Sequence, residues 1–420
     1  MRKYGRDNRP YVKPVKRIEL SEKNVKLRWI AIVVLLSIGV VAIGAGLMSA
    51  LNTEPGWQEV EITSKEPNCA GEFTLMYDFS SAGSGATAVN KQLNALYTEA
   101  AQQAYRLFSA EVVEEGLYNV GWLNAHVNEP VKVEADLYNA LSLAAAYNNR
   151  HIFTAPAMVE YNRVFLCEND EEAARYLPSG DPQLVQWLGE LGKFVNDPEM
   201  IRLELIGGDQ VQMTVSEEYL AFAQLHEIEI LLDFGWMKNA FVADYLASRL
   251  IQGGFTNGYL VSYDGFTRNL DQRGMEYRFN LFDRKGTQIN MPAQMTYDVP
   301  MSIVFLRDYP MDELDRWHYY AFTSGDVVTS MLDPADCMSK SAAHNLVGYS
   351  ETAGCGEILL QLAPLFTADT LDEAALKIMQ ENGIHAIWCE DRNLLYTDPL
   401  LKLTLNADGG GESYTHSLVK

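Results

Sequence analysis

The 420-residue chain carries 33 basic and 56 acidic side chains, a net charge of −23, with 48% apolar and 21% charged residues. That size suits one large or two ordinary globular domains, and near-average glycine and proline exclude collagen-like, low-complexity and wholly disordered chains. The acidic balance argues against a nucleic-acid partner, because phosphate binding needs clustered Lys and Arg.

Charge is unevenly distributed. Residues 1–28 hold ten basic groups and three acidic ones, net +7, whereas the remaining 392 residues hold 23 basic and 53 acidic groups, net −30. Between these parts, residues 29–53 form a run of twenty-five without a charge. At 1.5 Å rise per residue, about twenty apolar residues cross the ~30 Å hydrocarbon layer, so the run predicts a transmembrane helix. The basic cluster before it puts the N-terminus in the cytoplasm and the acidic part outside the cell. A buried core helix and a cleaved signal peptide are the alternatives; the length of the run disfavours the second. Cys69, Cys167, Cys337, Cys355 and Cys389 all follow the run. Their odd count and irregular spacing make neither a disulfide framework nor a zinc site, although one disulfide stays open.

Residues 54–70 are expected to be a spacer and 71–405 a single domain. A strand is predicted at 72–77, then a small-residue loop and a helix carrying Leu93, Leu96, Tyr97, Ala100, Ala101, Ala104, Leu107 and Phe108 on one face, with Thr87 as its N-cap. Further helices are predicted at 135–147 and from Pro182, which follows the N-cap Asp181. Alternating apolar residues on either side of Gly207-Gly208 predict a hairpin over 201–215. Beyond it, a strand at 228–232 leads through a loop to a helix over 238–251, then a strand at 259–262 and a turn at Asp264-Gly265. Strands at 277–282, 301–306, 317–322 and 345–349 follow, then helices at 354–366 and 371–381 and strands at 385–389 and 394–397. The segment 406–420 is expected to be a flexible tail. Mixed strands and helices without strict alternation predict an α+β fold with a mixed sheet.

Walker, dinucleotide-binding, HExxH and GxSxG motifs are absent. The stretch 230–265 is distinctive: a strand, a loop containing Gly235, Lys238 at a helix start, Asp244 six residues on, and a strand ending at Asp264-Gly265. Backbone N–H groups at a helix N-terminus together with a lysine favour an anionic, phosphate-bearing ligand. A capped helix with a solvated lysine is the plainer reading of the same residues.

This stretch resembles the ApbE-type FAD:protein FMN transferases. Their Asp-Leu-Gly, Lys-Gly and Asp pattern is similar to Asp233-Phe234-Gly235, Lys238-Asn239 and Asp244, and their Gly-Gly-acidic turn to Tyr263-Asp264-Gly265. Residues 318–325, from His318 to Gly325, resemble the family's His-x-x-Asp-Pro-x-Thr-Gly, and the order is kept over roughly 70–400.

The resemblance implies a membrane-anchored, extracytoplasmic domain that binds FAD and passes FMN to an acceptor protein with the help of a divalent metal. It implies His318 as the base, Lys238 as a phosphate contact, Asp244 as a flavin-nucleotide contact, and Gly235, Asp264 and Gly325 at the nucleotide. The family's metal-binding Ala-Asp-x-x-x-Thr helix start is here Ala353-Gly354-Cys355-Gly356-Glu357, so Glu357 is the one carboxylate left and Mg²⁺ is doubtful. The expectation is a flavin-transferase-like protein that binds a flavin nucleotide with weak or lost transferase activity. A non-catalytic surface interaction module on the same scaffold is the rival. Residues 84–87, Ser-Gly-Ala-Thr, are similar to the family's acceptor site, though a threonine before an amphipathic run is also an ordinary cap.

Overall fold

The computed structural model describes residues 54–62, 64–406 and 413–419. The basic segment and the apolar run at 29–53 lie outside the described residues. Among the described residues no helix is long and apolar enough to cross a membrane.

In chain order, β1 (Trp57–Glu59) and β2 (Phe73–Asp78) precede the long α1 (Ala86–Leu107), short α2 (Val120–Ala125), β3 (Val131–Lys132) and α3 (Ala135–Ala146). Then come α4 (Ala155–Phe165), α5 (Asp170–Tyr176), α6 (Pro182–Asn196), β4 (Ile201–Gly207), β5 (Gln210–Val215) and α7 (Glu217–Leu225). Helix α8 (Lys238–Gln252) leads into β6 (Gly258–Ser262), β7 (Phe266–Asn269), β8 (Tyr277–Lys285), β9 (Gln288–Tyr297) and β10 (Met301–Arg307). Short strands β11 (Tyr319–Ala321), β12 (Val327–Thr329), β13 (Leu332–Asp333) and β14 (Met338–Ser339) precede β15 (Asn345–Ser350). The chain closes with α9 (Cys355–Phe366), α10 (Glu373–Glu381), β16 (His385–Glu390), β17 (Asn393–Tyr396), β18 (Lys402–Leu405) and β19 (Thr415–Leu418).

The centre is a nine-stranded sheet in the order β1-β2-β6-β7-β10-β15-β16-β17-β19, antiparallel except for the last pair. Every residue of β10 is buried, as expected of a central strand covered on both faces. On one face lie α1, α8 and α9, whose Leu93, Tyr97, Leu246, Ile358 and Leu362 share a core with Leu260, Val304 and Leu346. Helix α9 sits directly on β15 at Gly348, where an added Cβ would overlap the Leu362 side chain. The other face carries a three-stranded sheet, β18-β9-β8, whose Leu281, Ala293 and Met295 pack on Ile303, Phe305, Val347 and Tyr349. The architecture is therefore α+β: helices, a large mixed sheet, and a second small sheet, with an accessory sheet β3-β5-β4 among α3–α7.

Several predicted elements differ. Residues 228–232 make no strand: the Ile228 amide closes the preceding helix on Ala223 O at 2.9 Å, and the Asn124 side chain takes the backbone groups at the other end, its Oδ1 accepting from Leu231 N and Leu232 N at 3.0 Å and its Nδ2 donating to Leu232 O at 2.8 Å. The 3₁₀ turn Ser80–Gly85 runs straight into α1, so Gly85 holds the cap position and Thr87 lies inside the first turn. Residues 57–59, in the stretch expected to be a spacer, form an edge strand. The end of the chain, expected to be flexible, forms β19, and Tyr414 behind it donates its hydroxyl proton to Asp283 at 3.0 Å. Of the strand predicted at 317–322, only Tyr319–Ala321 is extended, since a 3₁₀ turn occupies Glu313–Trp317. All five cysteines are free.

Candidate functional site

Helix α8 begins at Lys238 after a 3₁₀ turn, Gly235–Met237, that Gly235 opens at φ +53°, a conformation glycine adopts without strain. Asp233 precedes it, with its amide bound to Ile152 O at 2.9 Å; burial raises its carboxyl pKa, and amide donation from Gly235 and the charge of Lys238 oppose the shift. The end of β6 brings Tyr263 and Asp264 alongside. The 3₁₀ turn after Asp312, which follows β10, delivers Trp317 and His318.

These groups converge on one cavity of about 360 Å³, lined by Gly235, Lys238, Asp264 and His318 together with Glu72, Asn239, Tyr263 and Trp317. Lys238 Nζ is 3.3 Å from Glu72 Oε1, both side chains being roughly one-third exposed. Asn239 Nδ2 donates to Asp264 Oδ2 at 2.9 Å. Burial pushes the Asp264 carboxyl up to about 6; Ser262 hydrogen bonding opposes this and the nearby Glu72 charge adds to it. His318 is held by its amide, which donates to Asp315 O at 2.8 Å, and by Ser330 Oγ, 3.1 Å from Nδ1. Burial drives its imidazole down to about 4 against the pull of Asp315, so it is neutral at pH 7. Lining the cavity are then two carboxylates, one ammonium and one neutral imidazole. A neutral imidazole can accept a hydroxyl proton, and a single lysine shared with a carboxylate is a weak phosphate clamp.

Asp244 and Gly325 do not line this cavity. Asp244 lies six residues into α8, about 9 Å along the axis. Its Oδ1 accepts from Cys355 N at 2.9 Å and pairs with Arg268 Nη1 at 2.7 Å, and its Oδ2 accepts from Gly356 N at 2.8 Å. Asp244 thus caps the N-terminus of α9 from a neighbouring helix, and burial raises its pKa although Arg268 and the two amides oppose the shift. Gly325 turns the β11–β12 hairpin at φ +97°, and its carbonyl accepts from Arg284 Nη1 at 3.1 Å.

The metal position implied by the resemblance lies at the start of α9. There the free amides are taken by Asp244, Ala353 O accepts from Ser302 Oγ at 2.6 Å, and Glu357 Oε1 accepts from the Tyr147 hydroxyl at 2.9 Å. The Cys355 thiol, its pKa raised by burial, lies 3.3 Å from Thr267 O. Among the described residues, no three His, Cys, Asp or Glu side chains gather as a metal site. The donor set does not fit Mg²⁺, which needs several well-placed oxygens.

Comparison of the backbone with solved structures decides the architecture. The ApbE protein of Thermotoga maritima superposes with a TM-score of 0.51 over 75% of this chain and 90% of that chain, at 12% identity. The chain has the ApbE fold. The flavin transferase ApbE of Vibrio cholerae aligns at TM-score 0.49 and 13% identity, covering 84% of this chain and 99% of that one. The flavinyl transferase ApbE of Pseudomonas stutzeri aligns at 0.46 and 14%, covering 84% and 95%. No protein-family model matches the sequence, and no curated protein matches it.

On this ApbE-like frame, sequence reasoning missed Glu72, Asn239 and Trp317 in the cavity. Asn239 follows Lys238 directly and could have been taken with it. Glu72 had no signal, since it meets Lys238 only through the pairing of β2 with β6, 166 residues away in the chain.

Proposed function

We propose that the protein is a membrane-anchored, extracytoplasmic flavin-transferase-like protein that lodges a flavin nucleotide against Lys238, Asp264 and His318, with weak or lost FMN transfer. The ApbE fold and the convergence of these three predicted residues on one cavity support the nucleotide. The observation that carries the loss of chemistry is how the nearby carboxylates are bonded: Asp244 is consumed by the α9 amides and Arg268, and the two carboxylates lining the cavity, Glu72 and Asp264, are engaged by Lys238 and Asn239. The Glu72 carboxylate on Lys238 further weakens the attraction for phosphate.

The anchor rests on the uncharged run at 29–53 and the basic cluster before it. Exposed Met311, Leu314 and Trp317, on the turn leading to His318, favour contact with a protein there, either a flavin acceptor or, under the second reading, the partner of a non-catalytic surface module. Incubating the detergent-solubilised full chain with FAD, with and without Mg²⁺, and measuring AMP tests the catalytic part. Flavin retained through dialysis without AMP release supports the reading. Brisk AMP release that requires Mg²⁺ refutes the loss of transfer, and its disappearance in Lys238→Ala and His318→Ala would still support the nucleotide site. Protease protection of the N-terminal segment in intact cells tests the orientation.

A further inference from the structure

The accessory sheet ends in an open edge. Its order is β3-β5-β4, so β4 pairs with β5 on one side only, and exposure rises along the strand until Leu205 is 41% and Ile206 50% exposed. Ser216 N donates to Met200 O at 2.9 Å, which continues the β4–β5 register in which Ile201 faces Val215. Backbone groups along an antiparallel strand alternate in direction, so the even-numbered residues of β4 bond to β5 while Leu203 and Leu205 aim their N–H and C=O outward. Ile201, the third outward residue, is already held: its amide donates to Asp197 O at 3.2 Å and its carbonyl accepts from Arg150 Nη2 at 2.8 Å.

Proline, a bulge or a row of like charges usually blocks such an edge against a second strand. Strand β4 has no proline, its bulge lies at the far end between Leu205 and Gly207, and its two charges are opposite in sign, Arg202 Nη2 standing 2.6 Å from Glu204 Oε1. Residues 200–206 read Met-Ile-Arg-Leu-Glu-Leu-Ile, a pattern that is symmetric in polarity and antisymmetric in charge about Leu203. Laid antiparallel on a copy of itself with Leu203 opposite Leu203, the strand matches at every position. Arg202 then faces the partner's Glu204, Leu205 faces the partner's Ile201, and Ile206 faces the partner's Met200. Moving the two-fold by one residue to Glu204 destroys the match, because Glu204 would face its own copy and Arg202 the partner's Ile206.

We propose that β4 is a docking edge for a second copy of this chain, the two strands pairing antiparallel about Leu203 and joining the two accessory sheets, three strands from each copy, into one. Such a contact is isologous, the same patch serving both sides of a two-fold axis, which is the commonest form of association between identical chains. Leu203 of each copy supplies the backbone hydrogen bonds at the axis, and the two Arg202–Glu204 pairs across it select this register over its neighbours. The aliphatic side chains of Leu205 and Ile206, open to water in the single chain, are covered. None of these residues lines the cavity of Lys238 and His318, so the inference stands without the nucleotide reading.

Sedimentation equilibrium of the full chain in density-matched detergent measures the association. The parent is expected to dimerise, and Arg202→Glu and Glu204→Arg are each expected to weaken the dimer at least about tenfold, because each sets two like-charge pairs across the axis. An equimolar mixture of those two variants restores opposite charges at both positions and is expected to dimerise like the parent, as is the double variant Arg202→Glu/Glu204→Arg. That recovery also shows that the single variants are folded. A parent that stays monomeric at the highest soluble concentration overturns the inference, and so does a dimer that every variant leaves unchanged, as association through another surface would. Glu204→Gln is expected to loosen the dimer; tightening would place Glu204 on the axis and overturn the register.

Discussion

Lys238 Nζ stands 3.3 Å from Glu72 Oε1, so the one ammonium lining the candidate nucleotide cavity already has a carboxylate partner. A phosphate arriving there must compete with Glu72. Replacing Glu72 with Gln removes the competing charge, and a partly exposed pair of this kind contributes up to about 1 kcal/mol, so FMN should bind roughly three- to fivefold more tightly. Calorimetric titration of FMN into the parent and the variant checks this.

Asp264 makes the same cavity sensitive to pH. Its carboxyl titrates at about 6, raised first by burial and further by Glu72, so it is ionised at pH 7.5 and neutral at pH 5. Ionisation adds a negative charge beside any phosphate, and FMN affinity should fall as pH rises through 6. Because a phosphate monoester itself titrates near 6, the readout is the difference between the parent and Asp264→Asn. The variant should lose that part of the pH dependence which belongs to the protein.

His318 provides a stability test with the opposite origin. Its folded-state pKa of about 4 lies below the ordinary 6.5, chiefly through burial. The unfolded chain therefore binds a proton more readily, and the contribution is fully present above pH 6.5 and lost as pH falls toward 4. The imidazole proton shifts of His318 in an NMR titration should stay unmoved at pH 5.5, where an exposed histidine is largely protonated.

Asp244 is the cap on which α9 depends. Asp244→Ala leaves Arg268 without its carboxylate and two helix amides without an acceptor, and should cost about 2–4 kcal/mol, lowering Tm by several degrees. Asp244→Asn keeps one acceptor oxygen and should cost less. Differential scanning calorimetry of the two variants separates these values.

The Asp271 carboxyl, 1% exposed, sits at about 2: burial would raise it, but hydrogen bonds from Arg273 and Tyr277 outweigh that. Arg273 also pairs with Asp78 at 2.7 Å, tying β2 to the segment after β7. Linkage then gives about 2 kcal/mol of stability present above pH 4 and lost between pH 4 and 2. Denaturant titrations at pH 5 and pH 3 of the parent and Asp271→Asn should show a larger acid-dependent loss in the parent, the difference being the part that belongs to Asp271.

Much of this architecture was legible in the chain. The three-and-four spacing of Leu93, Tyr97, Ala101 and Ala104, the Asp181-Pro182 start and the Gly207-Gly208 turn each have a local cause, and the elements they predict are present. Where a local rule failed, a distant group had taken over. Residues 228–232 have a strand-like composition, yet Asn124, about a hundred positions earlier, takes the amides of Leu231 and Leu232. Helices α4 and α7 and strands β7 and β9 were not predicted; β7 is a four-residue strand whose Phe266, Thr267 and Asn269 are buried by pairing with β6 and β10. In the site, Lys238, Asp264 and His318 carried local signals, whereas Glu72 joins them only through sheet pairing. The helix-capping role of Asp244 shows only where α8 and α9 cross.

The central claim is that the ApbE fold here lacks the oxygen ligands for metal-assisted cleavage of a dinucleotide. Its most direct test is AMP release from FAD by the full chain across a Mg²⁺ series. The account predicts release that stays at or close to the enzyme-free level and does not saturate with Mg²⁺. Catalytic release that rises and saturates with Mg²⁺ would contradict it.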